Sequence, residues 1–324
     1  MAYLLREEDP DHDSVRHLTL VPFLEDGTCI AFVAPDGQAA IPSGTVQPGE
    51  SWILDAALRI PLEMAGFRMQ RVHPFAIDDD HLYAWVDGAG YDGDRPHVGV
   101  PWRRGSADEV AALLDEALAD VVRDAGRSFA AQDDTSYYAD NLRLLEPAYL
   151  RAETAEGGSG TSATPEVWRQ NRGMIVDCLH RDGTFLDVGC ANGLLMESVR
   201  AWAEGRGLDI EPYGVDLGPR LVALARTRLP QWAARIEVGN AIDYDRGRRF
   251  TFVHCLVDSV PVARRGDLIA HLRTLVEPGG RLLISVYGTT AGTGAAQAVD
   301  DCGWHADGEF ASPSGRHTTA WIGG

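Results

Sequence analysis

The segment "FLDVGCANGLL" (residues 185–195) decides how the second half of this chain folds. An apolar strand pattern runs to Val188, a turn of small residues occupies positions 189–193, and a helical pattern begins at Leu194. Glycines in such a turn let a ligand approach the backbone at the carboxyl end of a strand. The segment therefore predicts an open α/β sheet that holds an adenosine-bearing cofactor at this edge.

The spacing of the turn distinguishes between cofactors. It reads Asp187-x-Gly189-x-Ala191-x-Gly193 and lacks the G-x-G-x-x-G pattern of dinucleotide-binding folds. Asp187 would repel a pyrophosphate, whereas it would tolerate the positive charge of a sulfonium amino acid. We therefore expect that neither NADH nor NADPH binds.

Five strand patterns after residue 166 alternate with helical patterns. They are TFLDVGC (184–190), EPYGVDL (211–217), RIEVGNAI (235–242), FTFVHCLV (250–257) and RLLISVYG (281–288). This alternation predicts an α/β fold with a doubly wound, mostly parallel Rossmann-like sheet. Asp216 ends the second strand, where a carboxylate can accept both hydroxyls of a ribose. Asn240 and Ala241 end the third strand, near the expected edge of an adenine.

These features in this order resemble the class I S-adenosylmethionine-dependent methyltransferases. The resemblance extends from about residue 166 to the C-terminus, with "GWHADGEF" and "HTTAWIGG" as the final antiparallel pair. It implies S-adenosyl-L-methionine as the cofactor, with Gly189 and Gly193 against the methionine moiety. The further residues that it assigns to the cofactor are Asp187, Ala191 and Asn192 in the same turn, Asp216 and Leu217 at the ribose, and Asn240 and Ala241 at the adenine. Ala191 departs from the usual middle glycine of the family.

Two residues ahead of the first strand are further candidates for the cofactor site. Arg172 could pair with the methionine carboxylate, or it could be a surface arginine. Tyr138, beside Tyr137 in an earlier helical pattern, could close over the cofactor or pack between helices.

The first half of the chain alternates short strands with one helical pattern. The segment "GTVQPGESWILDAALRIPLEMAGF" (residues 44–67) resembles the Nudix hydrolases, which use helix carboxylates to hold Mg²⁺ against a diphosphate. Gly44, Glu50, Arg59, Glu63 and Gly66 fit that pattern if one residue is inserted between Glu50 and Arg59.

Two carboxylates expected by this resemblance are missing. Ile60 follows Arg59 and Met64 follows Glu63, and Pro61 should disturb the helix because it lacks a backbone donor. We expect a smaller α+β Nudix-like domain that does not hydrolyse a diphosphate and that binds no metal.

The sequence predicts three regions. The Nudix-like domain covers residues 1–104, and a helical connector with a Gly/Ser-rich linker ("AEGGSGTSATPE", 155–166) covers residues 105–164. The methyltransferase domain covers residues 165–324. Within the connector, residues 107–132 have the apolar spacing of one long amphipathic helix.

The fourth strand pattern supplies two candidate catalytic residues. A general base is needed only if the acceptor must lose a proton, because a sulfonium is an excellent leaving group. Asp258 lies just beyond the strand, whereas His254 lies within it and could instead be a packed strand residue. The ten histidines show no metal-binding spacing.

Charge and cysteine content limit the partners. The net charge is −19 and every basic residue is an arginine, since the sequence contains no lysine. Such a surface repels phosphate backbones and anionic membranes, so we expect neither nucleic acid nor membrane partners. Five scattered cysteines without a C-x-x-C pair indicate a reducing, cytoplasmic location.

The leading hypothesis is a methyltransferase for a small-molecule acceptor. The Nudix-like domain would serve as acceptor cover or as the contact of a homodimer. The Ala- and Gly-rich, lysine-free composition is associated with high-GC bacteria, in which such enzymes often serve specialised metabolism. The alternatives are a bifunctional methyltransferase and Nudix hydrolase, or a sensor that binds S-adenosylmethionine without transfer.

Overall fold

The computed structural model describes residues 3–4, 14–34, 36–48, 50, 53–91, 101–160, 164–287 and 294–324. The chain forms two compact units, Met1–Ala148 and Tyr149–Gly324. The division lies within a helix, so the segment predicted as a connector (105–164) is shared between the two units.

The N-terminal unit is built on an eight-stranded sheet. Its strands are β1 (Tyr3–Leu4), β2 (His17–Leu24), β3 (Cys29–Val33), β4 (Ala39–Ala40), β5 (Ser43–Thr45), β6 (Phe67–Asp78), β7 (His81–Tyr91) and β8 (Trp102–Gly105). The order is β1-β6-β7-β2-β3-β4, with β5 on β2 and β8 on β3. Two hairpins belong to this sheet, since β2 pairs antiparallel with β3 and β6 pairs antiparallel with β7.

The helices of this unit differ from the predicted ones in two ways. They are α1 (Ile53–Ala65), α2 (Ala107–Ala111), α3 (Glu116–Ala130) and α4 (Asp134–Arg151). The prediction of one helix over 107–132 is wrong, because Asp115 caps α3 by accepting the Leu118 amide at 3.0 Å. The prediction that Pro61 disturbs its helix is also wrong, since α1 runs through it.

The C-terminal unit contains a seven-stranded sheet of order β11-β10-β9-β12-β13-β15-β14. Its strands are β9 (Gly183–Val188), β10 (Ile210–Asp216), β11 (Ile236–Val238), β12 (Phe250–Leu256), β13 (Val276–Tyr287), β14 (Gly308–Ala311) and β15 (His317–Gly323). The first five are parallel, and β15 runs antiparallel to β13 and β14. The predicted mostly parallel sheet with a final antiparallel pair is therefore confirmed.

Helices cover this sheet and connect its parallel strands. They are α5 (Pro165–Arg172), α6 (Leu194–Glu204), α7 (Pro219–Arg228), α8 (Arg265–Thr274) and α9 (Ala295–Asp301). Because β9, β10, β12 and β13 run parallel, their carboxyl ends lie at one edge of the sheet. The candidate site lies at that edge.

Two further features follow from the described residues. All five cysteines are free thiols, and four of them are buried. In the part of the chain that the structure describes, no helix has the length and apolar character to cross a bilayer.

Candidate functional site

The turn after β9 is built from three residues with positive φ. These are Gly189 (83°), Ala191 (46°) and Gly193 (80°), and they alternate along the turn. A Cβ atom added to Gly189 would have nothing within 4 Å, whereas one added to Gly193 would lie 2.7 Å from Leu229 Cδ1. Open space therefore borders the backbone at Gly189, while Gly193 allows α6 to pack against the region around Leu229.

The carboxylate of Asp216 closes the same turn from the neighbouring strand. Its Oδ2 accepts the Ala191 amide at 2.8 Å, and its Oδ1 accepts the Gly218 amide at 2.8 Å. Ala191 has a φ of 46°, in the left-handed region that favours glycine, so the position where the family pattern has a glycine is here occupied by an alanine in a strained backbone conformation. Leu217, between the two contacts, is half-buried.

The loop after β11 is held against β10. The Gly239 amide donates to the Asp216 carbonyl at 3.0 Å, and a Cβ on Gly239 would lie 2.9 Å from both Val215 and Tyr244. The Asn240 side chain accepts the Ile242 amide at 3.3 Å, so it turns onto its own loop. Asn240 and Ala241 are both half-buried here, beside the end of β10.

Arg172 is buried, at 7% exposure, and is not a surface arginine. Its guanidinium lies 4.0 Å from the centre of the Trp168 ring and 4.6 Å from that of Tyr287. A Cβ on Gly160 would come within 2.7 Å of Arg172 Nη2. Stacking between two aromatic rings fixes the direction of a planar cation, so Arg172 is suited to hold an anionic group.

Asp187 and His254 form a buried pair. Asp187 Oδ1 lies 2.9 Å from His254 Nδ1, and His254 Nε2 lies 3.0 Å from Ser285 Oγ. Both ring nitrogens of His254 are thus engaged within the protein, which does not support the predicted role of a general base. The second oxygen of Asp187, Oδ2, is buried and has no hydrogen-bond partner among the described residues.

Tyr287 is a site residue that the sequence did not indicate. Its hydroxyl is also buried without a hydrogen-bond partner among the described residues. Burial raises the pKa of Tyr287 to about 12, with Arg172 acting in the opposite direction and Asp187 and Asp258 adding to the rise. Tyr287 also contacts a predicted site residue directly, since its ring lies 4.6 Å from the Arg172 guanidinium. Asp258 itself is half-buried in the 3-10 turn Val257–Ser259, just past β12.

The predicted linker is partly folded onto the turn. Asn192 Nδ2 donates to the Ala155 carbonyl at 2.8 Å, and the Ser159 hydroxyl hydrogen-bonds Asn192 Oδ1. Asn192 Oδ1 also accepts the Leu194 amide at 3.1 Å. Asn192 therefore anchors residues 155–159 of the predicted linker on the turn after β9.

The structure brings the predicted residues of the turn and of the end of β10 together at one edge of the C-terminal sheet. Asp187, Gly189, Ala191, Asn192, Gly193, Asp216 and Leu217 belong to the turn and its neighbouring strand end. Tyr138 lies in the N-terminal unit, where its ring meets that of Tyr137 edge-on at 5.6 Å. Its contact with a cofactor stays a prediction.

The site fits a zwitterionic amino acid that is joined to an adenosine. The unpartnered oxygen of Asp187 can accept from an ammonium group, and Arg172 can pair with a carboxylate. The open space at Gly189 allows a ligand to approach the backbone. Fold and site together define the class: a class I methyltransferase-like α/β unit.

Comparison with known proteins agrees with this class. A family model described as a methyltransferase domain matches residues 185–280. No curated protein matches the chain. S-adenosyl-L-methionine is the cofactor of this domain.

Two solved structures illustrate the similarity. CalS10, an amino pentose methyltransferase from Micromonospora echinaspora, is 28% identical over 39% of this chain and 51% of its own, with a TM-score of 0.31. This chain thus spans about half the length of CalS10. The N-methyltransferase NodS from Bradyrhizobium japonicum WM9 is 14% identical over 59% of this chain and 98% of its own, with a TM-score of 0.44.

Proposed function

We propose that this chain transfers a methyl group from S-adenosyl-L-methionine to a small-molecule acceptor. The observation that carries the proposal is the turn after β9, which combines open space at the Gly189 backbone, a buried oxygen of Asp187 without a hydrogen-bond partner among the described residues, and the Asp216 carboxylate held by the Ala191 amide. When bound, the cofactor supplies an electrophilic methyl group with a neutral thioether as its leaving group.

In this proposal the residues of the protein bind the cofactor and orient it. Asp216 would accept the ribose hydroxyls, since each of the two oxygens of an ionised carboxylate can accept more than one hydrogen bond. Asp187 and Arg172 would hold the two charged groups of the methionine moiety. Asn240 and Ala241 would border the adenine.

Asp258 is the better of the two candidates for a general base. Its carboxylate lies beyond the strand end and is half-buried, whereas His254 is 2% exposed and has both nitrogens engaged. A base within hydrogen-bond reach of the acceptor would be required only for an acceptor that loses a proton.

The strongly acidic sequence supports a small molecule as acceptor. A net charge of −19 disfavours a nucleic acid partner at long range. The amino acid sequence does not single out the attacking atom of the acceptor, so a library of amines, hydroxyls and thiols is the appropriate assay.

Binding of S-adenosylhomocysteine tests the cofactor site. We expect Asp216→Ala to weaken binding at least tenfold in calorimetry, because it removes a charged acceptor that is worth about 1.5–3 kcal/mol. Asp209→Ala is the matched control, since Asp209 is 82% exposed beside the opposite end of β10. Equal affinities of wild type and Asp216→Ala would remove Asp216 from the site.

Product formation separates transfer from sensing. A transferase releases S-adenosylhomocysteine when a suitable acceptor is added, whereas a sensor binds the cofactor and releases none. Wild-type protein with the acceptor library, read by mass spectrometry, decides between the two.

The N-terminal unit contains the helix that resembles the Nudix motif, and its two carboxylates are engaged. Arg59 Nε lies 2.5 Å from Glu50 Oε1, and Arg59 Nη1 lies 3.3 Å from Glu63 Oε2. Ile60 is buried at the position of a missing carboxylate, where its Cγ1 would be 3.1 Å from a Cβ on Gly44.

A metal-dependent hydrolase is therefore not favoured. No three His, Cys, Asp or Glu side chains come together as a metal site in the described part of the chain. The proposal includes a Nudix-like unit that serves as acceptor cover or dimerisation element and does not hydrolyse a diphosphate.

A further inference from the structure

Four buried polar side chains form a row across neighbouring strands of the C-terminal sheet. They are Asp187 on β9, His254 on β12, Ser285 on β13 and Thr319 on β15. Strand register aligns them, since His254 pairs with Asp187 and Ser285 pairs with Thr319. None of the four is more than 2% exposed, and each would destabilise an apolar core unless it were hydrogen-bonded.

The row is continuous at hydrogen-bond distance. Ser285 Oγ lies 2.7 Å from Thr319 Oγ1 and 3.0 Å from His254 Nε2, and His254 Nδ1 lies 2.9 Å from Asp187 Oδ1. An ionised carboxylate only accepts, so Nδ1 carries the proton that is donated to Asp187. In the neutral ring Nε2 then accepts from Ser285, and Ser285 accepts from Thr319. We call this row the Thr319–Asp187 chain.

The order of the groups is that of a Ser-His-Asp triad, but the chain is not a hydrolytic site. A nucleophilic serine must be within reach of a substrate carbonyl. Ser285 has no exposed surface, lies within a strand and already contacts Thr319. The Thr319–Asp187 chain therefore holds Asp187 in place and does not activate Ser285 toward a substrate.

The hydrogen bonding of the Thr319–Asp187 chain is incomplete at its Asp187 end. Every polar side-chain oxygen in it has a partner except Asp187 Oδ2, which is buried two residues before the open space at Gly189. A buried carboxylate oxygen without a partner is costly, and an ammonium group supplies both the missing donor and the opposite charge.

We propose that His254, Ser285 and Thr319 are positioning residues that orient the Asp187 carboxylate toward the ammonium group of S-adenosylmethionine. This inference rests on the proposed function. It assigns selectivity for the amino acid part of the cofactor to hydroxyl groups as far as three strands away from Asp187. Binding of the adenosine part of the cofactor does not depend on the Thr319–Asp187 chain.

Two ligands that differ in the amino acid part test the inference. S-adenosylhomocysteine carries the ammonium group, whereas 5′-methylthioadenosine keeps the adenosine and sulfur but lacks it. We expect Ser285→Ala to weaken binding of S-adenosylhomocysteine by about tenfold in calorimetry, because the ring of His254 loses a fixed partner. Binding of methylthioadenosine should stay within twofold of wild type, which also shows that the variant is folded.

Thr319 provides a matched pair at the far end of the chain. Thr319→Val removes the hydroxyl at constant shape, whereas Thr319→Ser keeps it. We expect the valine variant to lose affinity for S-adenosylhomocysteine selectively, in the same direction as Ser285→Ala, and the serine variant to resemble wild type.

The outcomes separate the two levels of the proposal. A wild type that binds neither ligand would overturn the proposed function and this inference with it. A wild type that binds both, together with a Ser285→Ala variant that loses both equally or neither, would overturn the positioning chain alone.

Discussion

Gly189 and Gly193 share a backbone conformation but differ in their surroundings. Their φ values are 83° and 80°, which L side chains rarely adopt. Only Gly193 faces a neighbour, since an added Cβ would meet Leu229 at 2.7 Å, while Gly189 borders open space. The same substitution at the two positions should therefore have different effects.

We expect Gly193→Ala to destabilise the protein more than Gly189→Ala. Both pay a left-handed backbone penalty of about 1–2 kcal/mol, and Gly193→Ala adds overpacking of about 1–3 kcal/mol. Thermal unfolding in the absence of ligand measures this difference.

The two variants should rank in the opposite order for cofactor affinity if the ligand occupies the space at Gly189. Gly189→Ala should weaken binding of S-adenosylhomocysteine more strongly, relative to its stability loss, than Gly193→Ala. Equal affinity of wild type and Gly189→Ala would place the ligand away from this backbone.

The residues of the turn could be predicted from sequence because their spacing is local. Asp187, Gly189, Gly193 and Asp216 follow strand ends, and strand ends can be recognised from apolar runs. Ser285, Tyr287 and Thr319 could not, because their role depends on register between strands that are distant in sequence. The one sequence signal for such a residue is a polar side chain inside an apolar strand pattern, as at His254.

At the scale of elements, helix α4 is tied to the sheet of the N-terminal unit through a buried histidine. His73 on β6 is fully buried, its Nδ1 lies 3.2 Å from Asp140 Oδ2 on α4, and its Nε2 lies 3.7 Å from Asp87 Oδ2 on β7. Burial lowers the pKa of His73, but Asp140 and Asp87 raise it by more, so the net shift is upward.

This shift makes the stability of the unit depend on pH. A histidine whose folded-state pKa is raised contributes stability that is fully present below its unfolded pKa, about 6.5. That contribution is lost as the pH rises through the folded-state pKa. We expect Asp140→Asn to lower the melting temperature most at about pH 6 and least at about pH 9.

A surface aspartate on the same unit provides the control. Asp120 is 72% exposed and pairs with Arg123 on α3, so Asp120→Asn should change the melting temperature little at either pH. A destabilisation by Asp140→Asn that is the same at both pH values would contradict a protonated His73.

Elements were predictable where the pattern and the caps agreed. The strands of both sheets follow their apolar runs, whereas residues 107–132 form two helices because Asp115 provides a cap inside one continuous apolar pattern. Pro61, in contrast, does not end a helix. α1 continues through it, with Ile60 and Ala65 buried on either side. Packing of the apolar face offsets the lost backbone hydrogen bond.

At the scale of the whole molecule, the carboxylates of the Nudix-like helix region should neither support hydrolysis nor take part in methyl transfer. Glu50 also accepts the Gln47 amide at 2.6 Å, and hydrogen bonds from Arg59 help lower the pKa of Glu50 although burial opposes them. An arginine that already holds Glu50 and contacts Glu63 leaves a poor oxygen set for Mg²⁺.

We expect no release of phosphate or nucleoside monophosphate from a panel of nucleoside diphosphate derivatives with Mg²⁺ or Mn²⁺. Methyl transfer should survive Glu50→Gln and Glu63→Gln, because neither carboxylate belongs to the sulfonium site. A metal-dependent hydrolysis that is lost in Glu63→Gln would make the bifunctional alternative the better one.

The anchoring of residues 155–159 on Asn192 means that the C-terminal unit depends on residues ahead of the segment matched by the family model. The family match begins at residue 185, yet the turn draws hydrogen bonds from Ala155 and Ser159. A recombination event that joined another domain directly before residue 185 would remove the hydrogen-bond partners of Asn192 at Ala155 and Ser159. An exchanged segment that keeps these hydrogen bonds must include residues 155–159, which lie ahead of the first matched residue, Phe185.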